Sequence, residues 1–238
     1  FIILSLGVYL AYVGGYGSDE DTIPMIGVYS NFLNGNFMTS RFTGNPVAEF
    51  GIGFLALNFG SFAANLASFF FLLFSLIIIS KLYFDKNLQS CLLFIILALS
   101  NPYLFFENLE PIDYSWALFF FTLGLYFRKI EKLDLSLIFF AISIGTRINF
   151  VPFVFAAIFF YNYERKFLVK NLTHFIGVIF VSGLFYLPVW IQHGLGMDWL
   201  TAGRPTPDLI GYLSRFVYKL ILSIGLVQII FILLVFFI

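Results

Sequence analysis

Thirteen residues, Ser68 to Ser80, read SFFFLLFSLIIIS with no charge, glycine or proline, and they close an apolar stretch of 32 positions, residues 49 to 80. A strand of a membrane barrel must alternate between a lipid face and a lumen face, so a run apolar at every position excludes that architecture. A helix needs about 20 apolar residues to cross a hydrocarbon core, and this stretch exceeds that. Similar runs fill the chain: of its 238 residues 61% are hydrophobic and 21% aromatic, and only 11% are charged. The mean hydropathy of +0.96 lies far from the balance of a soluble domain. The sequence therefore predicts an all-α, polytopic transmembrane helical bundle, one membrane domain over residues 1–238.

The chain opens at Phe1 inside one apolar run and stops inside another, IIFILLVFFI, which reads as a piece truncated at both ends. No basic segment or small-residue cleavage site precedes the first run, so a cleaved leader is not expected. A formal net charge of +0 points neither to nucleic acid nor to a polybasic membrane switch. Cys91, the single cysteine, can form no internal disulfide and reads as lipid-facing or as packing filler.

Lysines and arginines gather in three short loops: Lys81 with Lys86; Arg128, Lys129 and Lys132; Arg165, Lys166 and Lys170. By the positive-inside tendency these loops are cytoplasmic. The acidic segment NPYLFFENLEPIDY between the first two is then an outer apex. Arg147 falls at an outer turn between two short helices, and residues 17 to 48 and 194 to 214 form outer loops. About eight crossings follow from this pattern. Asn58 and Gly60 interrupt the stretch from 49 to 80, so part of it is expected to lie along, or dip into, the outer surface.

Three polar constellations stand out on the outer side. Asp19, Glu20 and Asp21 open the longest outer loop. Their plain reading is solvated charge, but the stretch from Thr22 to Val47 after them holds Ile23, Ile26, Val28, Phe32, Leu33 and Phe37 at helical intervals and turn residues in NGN, which suits a helix resting on the membrane surface. A carboxylate half out of water under such a helix gains the proton affinity a general base needs. A divalent metal is the other use of an acidic cluster, although His174 and His193 are remote and no ligand spacing appears; no tightly bound cofactor is expected. In SRFTGNPVAEF, Arg41 and Glu49 flank a Gly-Asn-Pro turn, with Pro46 suited to the first turn of a helix. That stretch is either an interfacial anchor or a partner of a phosphate. In FFENLEPIDYS, Glu107, Glu110 and Asp113 read most simply as solvated loop acids, the alternative being a second acidic contribution to one cavity on the outer face shared with Asp19. Arg147, in GTRINF, lies near the membrane boundary, where charge is costly unless paired. A lipid phosphate or a loop acid satisfies it equally well. Arg204 and Arg215 read as interfacial charges, and Trp190, Trp199 and Tyr212 as an aromatic belt.

An Asp-Glu pair after the first helix, a long outer loop with a surface helix, and Arg41, Gly44, Pro46 and Glu49 leading into the next helix resemble the membrane glycosyltransferases that use polyprenyl-phosphate sugars. These are the protein O-mannosyltransferase and aminoarabinose transferase relatives of the GT-C fold class. The segments NPYLFFENLEPIDYSWALFFFTLGLYF and AISIGTRINF look like that family's middle helices, with Asp113 and Arg147 at matching positions. Thr43, Asn45 and the third acid, Asp21, depart from its pattern. The resemblance implies that Asp19 acts as general base on an acceptor hydroxyl, with Glu20 assisting. It implies that Arg147 and Arg41 stabilise the leaving phosphate, and that Glu49 and Asp113 belong to the substrate site. The donor it implies is a polyprenyl-phosphate-linked sugar drawn from membrane lipid; the acceptor is a glycan, lipid or protein, and the setting a bacterial or archaeal plasma membrane. The rival classes are a flippase or transporter, which would bury ionisable groups at the bilayer midplane, a polysaccharide polymerase or ligase with a large late loop, and a purely structural membrane subunit.

Overall fold

The computed structural model describes residues 2–17, 22–36, 39–40, 44–84, 87–160, 168–193, 211 and 213–214. Among them the regular structure is entirely helical: α1 Ile2–Val13, α2 Thr22–Leu33, α3 Pro46–Phe84, α4 Leu88–Leu99, α5 Pro102–Glu107, α6 Asp113–Lys129, α7 Leu133–Thr146, a single 3₁₀ turn Ile148–Phe150, α8 Val151–Phe160, α9 Leu168–Phe185 and α10 Leu187–His193. Two of these, α3 and α9, are long and apolar enough to cross a membrane. The count of eight crossings is therefore not established: α1, α4 and α7 have 12, 12 and 14 residues. At 1.5 Å per residue each spans only about 20 Å of a hydrocarbon core roughly 30 Å thick.

The local signals are met where they can be read. Pro46 begins α3, a position where its missing N–H is not needed. α2 falls in the stretch expected to carry a membrane-surface helix; it stops at Leu33 because Gly35, at φ 79°, turns the chain, the Gly35 N–H bonding to Phe32 O and the Asn36 N–H to Asn31 O, and Phe37, also expected on that helix, lies outside the described residues. Met25 and Val28 of α2 are buried, Met25 in a core it shares with Ala48, Ile52 and Trp116, while Ile23 and Leu33 stay exposed.

Of the two residues expected to interrupt the stretch from 49 to 80, Asn58 and Gly60, the break falls at Gly60, whose φ 80° and ψ 178° lie inside α3 in a region essentially reserved for glycine. The bend is sharp. A β-carbon on Gly51 would lie 2.5 Å from the Trp116 ring, and the same indole donates through Nε1 to Ser68 Oγ at 3.0 Å. Residues 51 and 68 would be about 25 Å apart on a straight helix. The first half of α3 thus folds back beside the second.

The second half of α3 runs alongside α6: Ser68 meets Trp116 near one end, and the Lys129 ammonium donates to Leu82 O at 2.9 Å at the other. α7 returns antiparallel to α6, with Ser143 Oγ donating to Ala117 O at 2.8 Å. α1 is tied by Asn65 Nδ2, which donates to Ala11 O at 3.0 Å and Gly15 O at 2.6 Å, carbonyls that the end of a helix leaves open. Arg128 and Lys129 lie at one end, where Arg128 Nη2 bonds to Ile158 O and Asn171 Oδ1 at 2.7 and 2.9 Å. Cys91 is buried, its thiol 3.6 Å from Ser80 O.

Candidate functional site

At the end of the bundle opposite Arg128 and Lys129, the start of α3, the start of α6, the end of α7 and the turn after α9 converge. Acids open two of these helices, Glu49 in the first turn of α3 and Asp113 in that of α6, and Arg147 caps the C-terminus of α7. Each charge thus faces the helix pole of opposite sign.

Asp113 is fully buried, not solvated as its place in an acidic loop suggests. Burial of a carboxylate requires partners, and these include Arg147 Nη1, 2.8 Å from both of its oxygens, and Asn45 Nδ2, 2.8 Å from Oδ2. Asn45 also starts α3, its carbonyl accepting the Glu49 N–H at 2.8 Å. The Arg147 guanidinium stacks over the Tyr114 ring, 3.9 Å from its centroid, a cation–π contact that fixes its plane. Held through Nη1, Arg147 keeps its Nε and Nη2 edge without a hydrogen bond among the described residues. Its side chain is 17% exposed. A planar fork of this kind suits the bidentate recognition of a phosphate.

Glu49 is buried as well and accepts from the Ser40 N–H at 3.1 Å and from the Ser40 hydroxyl. Tyr186 completes the cluster. Its hydroxyl donates to Ile144 O at 2.9 Å and faces the Ile148 N–H. These are the two groups that would bond to each other if α7 continued; Arg147 between them is extended, at φ −156°. The phenol therefore sits in the break that turns Arg147 out of the helix. Burial, and then the neighbouring Glu49 and Asp113 carboxylates, push its pKa well above the usual tyrosine value, against the opposing charge of Arg147. The close approach needed here rests on Gly145, where a β-carbon would lie 2.8 Å from the Phe185 ring and 2.9 Å from Val47.

Of the residues singled out from sequence, Glu49, Asp113 and Arg147 are brought to this one end, with Asp113 and Arg147 in direct contact. Asp19, Glu20 and Arg41 lie outside the described residues, as do Asp21, Arg204 and Arg215. Gly17, two positions before Asp19, lies against the Glu110 carboxyl. Sequence reasoning missed Ser40, Asn45, Tyr114 and Tyr186. Ser40 and Asn45 lie inside the SRFTGNPVAEF stretch and Tyr114 follows Asp113, whereas Tyr186 carries no local signal. Among the described residues no group of three His, Cys, Asp or Glu side chains is placed to hold a metal ion. Comparison of the chain with protein-family models, with curated proteins and with solved structures finds no match.

Proposed function

We propose that the chain is a membrane-embedded, inverting glycosyltransferase that moves a sugar from a polyprenyl-phosphate donor to a hydroxyl acceptor on the outer face of a plasma membrane. The observation that carries this reading is Arg147: a guanidinium anchored by Asp113, stacked on Tyr114 and left with an open fork among the described residues, at the end of the bundle that also holds buried Glu49. In the reaction, Asp19 takes the proton of the acceptor hydroxyl, with Glu20 assisting. The acceptor oxygen attacks the anomeric carbon, the bond from that carbon to the phosphate oxygen breaks, and the departing phosphate keeps the electron pair. Arg147, with Arg41, meets the charge that develops there, which is where such stabilisation is worth most. Glu49 and Asp113 hold the architecture around the sugar and the phosphate. The short helices α1, α4, α7 and α8 complete about eight crossings by tilting or by local thinning of the bilayer.

The test is turnover. The chain is reconstituted in proteoliposomes with a panel of polyprenyl-phosphate sugars, and release of polyprenyl phosphate is followed by mass spectrometry. Wild type consumes a donor in an acceptor-dependent way, whereas Asp19→Asn binds the donor and releases none. Equal turnover in wild type and Asp19→Asn removes the base from the scheme, and an inert wild type across mannose, glucose, galactose and aminoarabinose donors removes the transferase.

A further inference from the structure

At the basic end of the bundle, away from Asp113 and Arg147, a cavity of about 500 Å³ opens between α1, α3 and α4. Its volume falls within the roughly 300–1,000 Å³ of ligand pockets. The walls are apolar, among them Leu4, Leu73, Ile77, Leu92 and Ile95, and the one charged lining residue is Lys81. Apart from Ser80 and Cys91, these walls offer a polar solute nothing to bond to. Lys81 lies in the last turn of α3, exposed, and it forms no ion pair among the described residues. The neighbouring Leu82 carbonyl holds the Lys129 ammonium, so the rim has a second cation close by.

The depth of the cavity specifies its occupant further. From Lys81 to Leu73 the α3 wall is eight residues long, about 12 Å, and the α4 wall from Leu88 to Leu99 covers about 16 Å. That is one leaflet, half of a hydrocarbon core roughly 30 Å thick. A charge at the interface with apolar walls one leaflet deep matches an acyl chain under an anionic headgroup. A polyprenyl chain long enough to enter both leaflets does not fit this depth, and a zwitterionic headgroup brings an ammonium of its own towards Lys81.

We propose that this groove is a binding site for an anionic glycerophospholipid of the cytoplasmic leaflet, one acyl chain lying between α1, α3 and α4 and the headgroup phosphate on Lys81. The site is separate from the transfer chemistry and does not depend on it.

Native mass spectrometry of the detergent-purified, delipidated chain tests this, with phosphatidylglycerol and phosphatidylcholine of the same acyl composition added together. Wild type retains phosphatidylglycerol about fivefold more than phosphatidylcholine, the effect of about one lysine at an anionic headgroup. Lys81→Gln, a change at an exposed residue, brings the ratio to about one. Leu92→Trp, at a half-exposed wall position that tolerates bulk, blocks the groove and loses retention of both lipids. Equal retention of the two lipids by wild type overturns the proposal. So does a preference that survives Lys81→Gln, or retention unchanged in Leu92→Trp. A chain that retains no lipid and runs as a dimer shows instead that a second copy covers the groove.

Discussion

Asp113 concentrates the energetic stakes of the site in one carboxylate. Removing it leaves Arg147 without its anchor, and breaking a buried pair in this way costs about 3–5 kcal/mol; water reaching the partly exposed guanidinium puts the cost near the lower figure. Asp113→Ala is therefore expected to lower the unfolding free energy by about 3 kcal/mol in detergent. Asp113→Ala with Arg147→Met, which removes both charges, is expected to recover more than half of that loss while donor turnover stays absent. Full recovery of turnover in the double variant would make the pair purely structural. Tyr186 acts at one remove. Tyr186→Phe leaves the Ile144 carbonyl and the Ile148 N–H facing a bare ring, at about 1–3 kcal/mol for an orphaned buried group. The turn that presents Arg147 then relaxes, and the affinity for donor falls more than the unfolding temperature indicates. Unchanged donor affinity in a folded Tyr186→Phe protein contradicts that positioning role. These residues also mark how far the sequence could be read. Glu49, Asp113 and Arg147 stood out because charge is scarce in an apolar chain. Asn45 and Tyr186 did not, because an amide or a phenol is ordinary by itself and acquires meaning only from partners 68 and 42 residues away.

Helices divide in the same way between what is local and what is not. The start of α3 at Pro46 follows from backbone chemistry and was legible; the end of α2 before Gly35 was legible only as the NGN turn, since the helical spacing runs through to Phe37. The break at Gly60 was legible as a break. Its consequence was not, because the folding back of α3 depends on Trp116 accepting Gly51 on one side and Ser68 on the other. Gly60→Ala forces an L-residue into a backbone region it avoids, at a cost of about 1–3 kcal/mol. The expected result is a lower unfolding temperature together with loss of donor binding, since Asn45 then no longer reaches Asp113. Asn58→Ala, at an exposed side chain bonded among the described residues to Phe54 O within its own helix, is expected to change neither; a variant as damaging as Gly60→Ala would locate the hinge elsewhere. Asn65→Leu removes the tie to α1 and is expected to speed hydrogen exchange of the amides from 14 to 17, leaving those of α6 unchanged.

Among the described residues Glu49, Asp113 and Arg147 lie at one end of the bundle, and Arg128, Lys129 and Lys81, with Glu131 and Asp134, at the other. In a Cys91→Ser background, Asn34→Cys is expected to react with an impermeant maleimide added outside intact cells. Lys132→Cys is expected to react only after permeabilisation. The reverse pattern would place the site on the cytoplasmic face and remove the outer-face scheme. The central claim is that the cluster around Arg147 receives a lipid-linked phosphate, and the most direct measurement is the affinity of the purified chain for a short-chain polyprenyl phosphate, comparing wild type, Arg147→Met and Lys81→Gln. Charge-assisted bonds of about 1.5–3 kcal/mol predict that Arg147→Met weakens binding about 10- to 100-fold, while Lys81→Gln matches wild type. Equal affinity in wild type and Arg147→Met would contradict the account.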